Sequence, residues 1–219
     1  MADYSQVHPD LKELDQFCVR VQKQPYIASA EVNGLSVGGF SSAGWNTRRE
    51  AWLSFNEAIQ ALQDKNEAVF FNGEYVPLEG IGFIVARSGD GPQTLGGDLD
   101  CCRDPETGLV SQWATAFLQL ARPFYTEVSL SKCGIRFFSW GRLPECRDNV
   151  FGNGPQDDMP EETRERILAA KPKAGEKLAK GEPAFNGLEL YETGRHLTLT
   201  GERLDAFCFE KEDVTAALS

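Results

Sequence analysis

Residues 94–100 read Thr-Leu-Gly-Gly-Asp-Leu-Asp, and this stretch constrains the chain more than any other. Two glycines lead into Asp98 and Asp100, which are separated by one apolar residue. On a strand, side chains alternate between faces, so both carboxylates point to one side while Leu99 enters the core. Two anionic groups a few ångström apart repel, and a hard cation such as Mg²⁺ or Mn²⁺ relieves that repulsion while keeping positions open for phosphates. The competing reading is a pair of solvated acids at a strand end, since Asp commonly opens turns.

The rest of the chain sets the frame for this pair. A length of 219 residues, 41% of them hydrophobic and 25% charged, suffices for one globular domain or two closely packed parts. No apolar run is long enough to span a bilayer, and Met1-Ala-Asp-Tyr-Ser-Gln6 has neither the basic start nor the apolar stretch of a secretory signal. A cytoplasmic location with no membrane partner is the expectation. The net charge of −11 argues against a broad electrostatic grip on nucleic acid, so any phosphate contact must be local. The six cysteines contain no Cys-x-x-Cys pair. A reducing compartment makes them buried thiols, and adjacent Cys101 and Cys102 are poor partners in a zinc site with Cys133 and Cys146.

Along the chain, Leu11, Leu14, Cys18 and Val21 fall at helical spacing and predict a helix within 8–22. A Gly/Ser-rich passage over 33–44 predicts a loop. Thr47 and Glu50 fit a capping box for a helix carrying Trp52, Phe55, Ile59 and Leu62 to about Gln63. Strands are expected over 68–71 and, centrally in a sheet, over 80–86. Pro105 and Gly108 punctuate a turn after Asp100. Trp113, Phe117 and Leu120 mark a helix over 111–121. Residues 126–138 read as strand, tight turn, strand, with Arg136 and Phe138 on one face and Ile135 and Phe137 on the other.

Residues 142–184 change character and read as an insertion with one short helix from Arg164 to Ala170. Its Lys171, Lys173, Lys177 and Lys180 suit either a solvated linker or a nucleic-acid backbone. Residues 187–201 alternate as a β-hairpin turning at Glu192-Thr-Gly194. There Glu189, flanked by leucines, is costly to leave alone and is either a third metal ligand or a partner of Arg195. His196 reads as a structural hairpin side chain.

Three separated pieces, taken in order, resemble a known family: Gly-Asp98-Leu-Asp100 with its Arg-Asp-Pro-Glu-Thr-Gly tail, Thr126-Glu-Val-Ser-Leu-Ser-Lys-Cys-Gly-Ile-Arg136, and Glu189-Leu-Tyr-Glu-Thr-Gly-Arg195 with Leu-Thr-Leu-Thr-Gly201. Together with the Lys-x-Pro at Lys23, the Trp52, Phe55, Ala58 helix and the Gly-Ile-Gly-Phe strand, they are similar to the bifunctional primase/polymerase domain of the archaeo-eukaryotic primase superfamily, as found in phage and plasmid replication proteins. The resemblance covers most of residues 20–205. It implies an α+β fold in two lobes, an α/β part over 1–93 and a motif-bearing part over 94–205 with an antiparallel sheet of the RNA-recognition type, together forming one catalytic domain over 1–219.

The resemblance also implies a chemistry: template-dependent nucleotidyl transfer by a DNA primase or DNA polymerase. Asp98, Asp100 and Glu189 would hold Mg²⁺ or Mn²⁺. Ser129, Ser131, Lys132, Gly134, Arg136 and Arg195 would contact the nucleoside triphosphate. The partners would be nucleoside triphosphates, a single-stranded DNA template and a replicative helicase in cis or in trans. The chain departs from the family at Arg136, where the family has His, and at Lys132, where it has Gly. Arg keeps a multidentate phosphate donor but carries a fixed charge on a longer stem. Alternatives are a degenerate nucleotide- or single-stranded-DNA-binding module, a metal-dependent nuclease, and an acidic docking domain.

Overall fold

Phe17, Cys18, Val19 and Val21 are all buried, and so is Arg20 between them. A run covered on both faces is a central strand rather than a one-sided helix. The computed structural model, which describes residues 2–29, 39–64, 67–87, 92–144, 148–155 and 158–218, accordingly gives a helical turn α1 (Pro9–Lys12) followed by strand β1 (Phe17–Val21). This corrects the helix predicted over 8–22. Helical spacing of four apolar residues also arises when every position of a short strand is apolar.

A tight turn with Gln22 at φ 50° leads to β2 (Gln24–Ala28), and β3 (Phe40–Ser41) follows. The Gly/Ser-rich passage falls outside the described residues as far as residue 38. Helix α2 (Phe55–Gln63) begins later than predicted. Its capping box is Ser54 with Glu57; Thr47 instead precedes, and Glu50 lies within, a 3₁₀ turn at Arg49–Ala51. β4 (Ala68–Phe71) and β5 (Glu74–Pro77) form a separate hairpin. β6 (Gly80–Val85), buried throughout, pairs with β1.

The second half runs β7 (Gln93–Asp100), α3 (Gln112–Ala121), β8 (Tyr125–Val128), β9 (Ile135–Gly141), β10 (Asn149–Asn153), α4 (Glu161–Ala170), α5 (Pro172–Ala179), β11 (Gly187–Tyr191) and β12 (Arg195–Thr198). The protein is thus mixed α+β with antiparallel sheets. One sheet has the order β12-β6-β1-β2-β3 and the other β10-β11-β7-β9-β8. In the second sheet, β7-α3-β8-β9-helix-β11 is a β-α-β-β-α-β succession with strands ordered β11-β7-β9-β8, the split β-α-β arrangement. β10 adds an edge strand.

Two expectations fail at this level. β11 and β12 do not form a hairpin, because β11 pairs with β7 and β10 whereas β12 pairs with β6 in the other sheet. The turn at Glu192-Thr193-Gly194 carries the chain between sheets, and Glu192 is fully buried within it. Nor is 142–184 a solvated linker. β10 extends the sheet, while Ile167, Ala174 and Phe185 pack with Cys101 and Cys133 in a small core.

The faces of β9 separate two larger cores. Phe138 packs with Phe83 of β6, ring centres 5.3 Å apart, in a core shared by both sheets. Ile135 and Phe137 pack with Leu95, Leu99 and the α3 residues Ala114, Leu118 and Ala121. Among the described residues no helix is long and apolar enough to cross a membrane.

Candidate functional site

The register of the second sheet sets one row of side chains across five strands. Phe151 of β10 opposes Glu189 of β11, Glu189 opposes Asp98 of β7, Asp98 opposes Arg136 of β9, and Arg136 opposes Glu127 of β8. Directly opposed residues share a face, with Cβ atoms about 4.5–5.5 Å apart. Asp100 lies two residues along β7 on that face, opposite Gly187, which leaves the space before it open. Asp98, Asp100 and Glu189, distant in sequence, therefore come to one surface. The glycines before Asp98 serve packing: a Cβ on Gly97 would lie 2.1 Å from the Phe137 ring, and one on Gly96 would lie 2.5 Å from Val85.

The charges on this face are only partly satisfied. Asp98 Oδ1 is buried without a hydrogen-bond partner; the nearest cation, Arg136 Nε, lies 3.9 Å away. Burial pushes the Asp98 carboxyl up to about 6, against the pull of Arg136 and with the repulsion of Asp100 and Glu189. Arg136 is itself buried and donates through Nη1 to the Thr198 carbonyl at 2.7 Å and to the Thr198 hydroxyl. Asp100 accepts from Lys171 Nζ at 2.7 Å. Burial lowers the Lys171 ammonium, but Asp100 and Cys101 outweigh it and the net shift is upward. Glu189 accepts from the Tyr191 hydroxyl and, at 3.4 Å, from Arg195.

Glu127 closes the row on the far side. It is fully buried and accepts from the Tyr125 hydroxyl at 2.9 Å and from the backbone amides of Thr200 and Gly201 at 2.9 and 3.0 Å. Burial raises its carboxyl to about 7, opposed by those amides and by Arg136.

As the side chains lie, no three His, Cys, Asp or Glu groups among the described residues form a ready cage for an ion. Asp100 and Glu189 are turned toward separate cations. The donor set still suits a hard divalent ion: three carboxylates on one face, no sulfur or imidazole in the row, and one buried oxygen with no partner. Of the cysteines, Cys18, Cys101, Cys102 and Cys133 are buried free thiols, whereas Cys146 lies outside the described residues.

The residues expected to contact a triphosphate are dispersed. Ser129 and Ser131 hydrogen-bond each other at 3.0 Å in the β8–β9 turn, with Ser129 buried. Gly134 is packed so closely that a Cβ would lie 2.5 Å from the Leu99 carbonyl. Lys132 pairs with Glu202. Arg136 is committed to Thr198 beside Asp98, and Arg195, exposed, lies over the Tyr191 ring at 5.0 Å. None of these six lines the cavity that opens beside Asp100 and Glu189.

That cavity, of about 410 Å³, is walled instead by Lys23, Phe151, Lys171, Lys173 and Lys177. Its size falls within the roughly 300–1,000 Å³ usual for small-ligand sites. Sequence reasoning singled out three of these lysines but read them as linker residues; Lys173 and Lys177, four apart on α5, were the available signal. Phe151 and Glu127 gave none, because only strand pairing brings them to the row. Scanned against models of known protein families the chain matches none, and a search of curated proteins likewise returns no match.

Proposed function

We propose that this protein is a metal-dependent nucleotidyltransferase that joins nucleoside triphosphates to the 3′-hydroxyl of a DNA strand on a single-stranded template, the activity of the primase/polymerase domains it resembles. One observation carries the reading: Glu189 and Asp98 are cross-strand partners, with Asp100 on the same face, beside a lysine-walled cavity of nucleotide size. The strand order β11-β7-β9-β8 supports it as well, since it corresponds to the RNA-recognition-type sheet expected of the motif-bearing lobe.

Asp98, Asp100 and Glu189 are the residues that would hold Mg²⁺ or Mn²⁺. Once bound, such an ion supplies Lewis acidity to the attacking hydroxyl and to the leaving pyrophosphate. The buried, partnerless Asp98 oxygen is a strong acceptor for it. Arg136, fixed by Thr198, sits beside Asp98 on the same face, its Nε 3.9 Å from the Asp98 carboxylate, and would offset part of the negative charge there. Glu127 balances the Arg136 charge from the other side. Work on a DNA template is consistent with a cytoplasmic replication role alongside a helicase.

The test is primer extension and de novo primer synthesis with Mg²⁺ or Mn²⁺, comparing the wild type with Asp98→Asn/Asp100→Asn. Loss of incorporation in a variant that keeps its thermal transition is the expected result; equal activity removes the site. A second reading, a nucleotide-binding module without turnover, is favoured by the protein cations on Asp98 and Asp100. Triphosphate binding without pyrophosphate release would select it.

A further inference from the structure

The cavity beside the carboxylates has three chemically distinct walls. On one side stands Phe151, 62% exposed on edge strand β10, an unusual side chain for a position where charge normally protects an edge. Its ring meets Tyr191 edge-on, with centres 5.9 Å apart, and the remainder is open to the cavity. The same cavity is lined by Lys173 and Lys177 of α5, by Lys171 just before it, and by Lys23 of the β1–β2 turn. Among the described residues only Lys171 of these four carries an ion pair, to Asp100. Asp100 and Glu189 line it as well.

Four ammonium groups gathered in a chain of net charge −11 are a local exception to its electrostatics. Lysines without arginines offer point charges that follow a flexible polyphosphate, rather than the fixed fork that holds a carboxylate. An exposed aromatic ring in the same cavity accepts the flat face of a base without regard to its sequence. The carboxylates beside them would repel the same ligand unless it brings its own cation. A ligand satisfying all three walls is flat at one end, polyanionic at the other and bound to a divalent metal.

From this we infer that the cavity between β10 and α5 seats the nucleoside triphosphate, with the base on Phe151 and the phosphates on Lys173 and Lys177, in place of the β8–β9 turn. The choice of ligand rests on the nucleotidyl-transfer reading. Phe151 sits next to Glu189 in the row, so a base resting there brings its phosphates past Glu189 and Asp100, the two carboxylates that line the cavity. The insertion is then the part of the chain that selects the substrate, and the turn around Ser129 and Gly134 is a packing element against Leu99.

Calorimetry with dATP and with inorganic triphosphate, both in Mg²⁺, tests this on the full chain. Lys173→Glu/Lys177→Glu, both positions being exposed, is expected to weaken dATP about 100-fold or more through two lost charged contacts. Phe151→Ala is expected to weaken dATP about 5- to 150-fold while leaving inorganic triphosphate unchanged. The inference is overturned if the lysine variant binds dATP within about threefold of wild type, or if Lys132→Glu abolishes binding instead. It is also overturned if a single-stranded oligonucleotide, and not dATP, is the ligand these substitutions release. Binding and turnover separate the two claims. Lysine-dependent dATP binding without primer extension upholds the inference and removes the transfer reading; extension with unaltered KM in the lysine variant does the reverse.

Discussion

Removal of the Glu192 carboxylate should destabilise the protein strongly. Glu192 lies where the chain passes from β11 to β12 and is completely buried. Its Oε1 accepts from Arg87 Nε at 3.2 Å, Gln93 Nε2 at 2.9 Å and Arg142 Nε at 3.1 Å, and its Oε2 accepts from the Leu143 amide at 3.1 Å. One side chain thus ties together the segments that leave β6, enter β7 and leave β9. Glu192→Ala deprives two guanidinium groups, an amide and a backbone N–H of this acceptor. Breaking a buried ion pair by deleting one partner costs about 3–5 kcal/mol. Arg87 retains Asp148 at 3.2 Å and is partly exposed, which favours the lower end. At about 2–4 °C per kcal/mol for a chain of this size, the melting temperature falls by about 6–20 °C. Glu192→Gln keeps the shape and loses the charge, for about half that cost. Urea and thermal unfolding followed by circular dichroism measure both. A loss below about 1 kcal/mol for Glu192→Ala, the value of an exposed pair, refutes the argument that this carboxylate holds the crossing together.

Gly97→Ala places a methyl 2.1 Å from the Phe137 ring, which is already packed against Phe117, so it should cost about 1–3 kcal/mol; Phe137→Leu in the same chain should restore part of it, and an unchanged urea midpoint would sink the packing argument. His196, half-buried against Trp45, is pulled down to about 4 by burial, reinforced by Arg195 and Arg136, from about 6.5 in the unfolded chain. The folded state therefore binds this proton more weakly, and the stability it contributes is complete above pH 6.5 and lost as pH falls toward 4. An NMR titration should find the imidazole neutral at pH 5; a midpoint above 6 would show it to be solvated.

Much of the secondary structure was legible because local signals matched what the fold required. The Ser111–Ala121 region reads as a helix from its apolar spacing and forms α3, with Ser111 as its cap. The split of Arg136 and Phe138 from Ile135 and Phe137 follows from alternation alone and separates the two cores. Local signals misled where they were degenerate. Thr47–Glu50 and Ser54–Glu57 are both capping patterns seven residues apart, and only packing of Phe55, Ile59 and Leu62 against the core selects the second. Alternation over 187–201 is the same whether two strands pair with each other or with different sheets.

By itself, the sequence determined that Asp98 and Asp100 share a face, that strand, helix, strand and strand follow in that order from residue 94, and that the chain has too little positive charge for a broad nucleic-acid surface. These are consequences of period, turn chemistry and composition, which act within a few residues or over the whole chain. Tertiary structure alone decided that Glu189 stands opposite Asp98, that Glu127 and Phe151 complete the row, and that the α5 lysines rather than the β8–β9 turn face the carboxylates. Strand pairing between residues about 90 positions apart is set by the burial of both sheets at once, and no local pattern encodes which strand a carboxylate will meet.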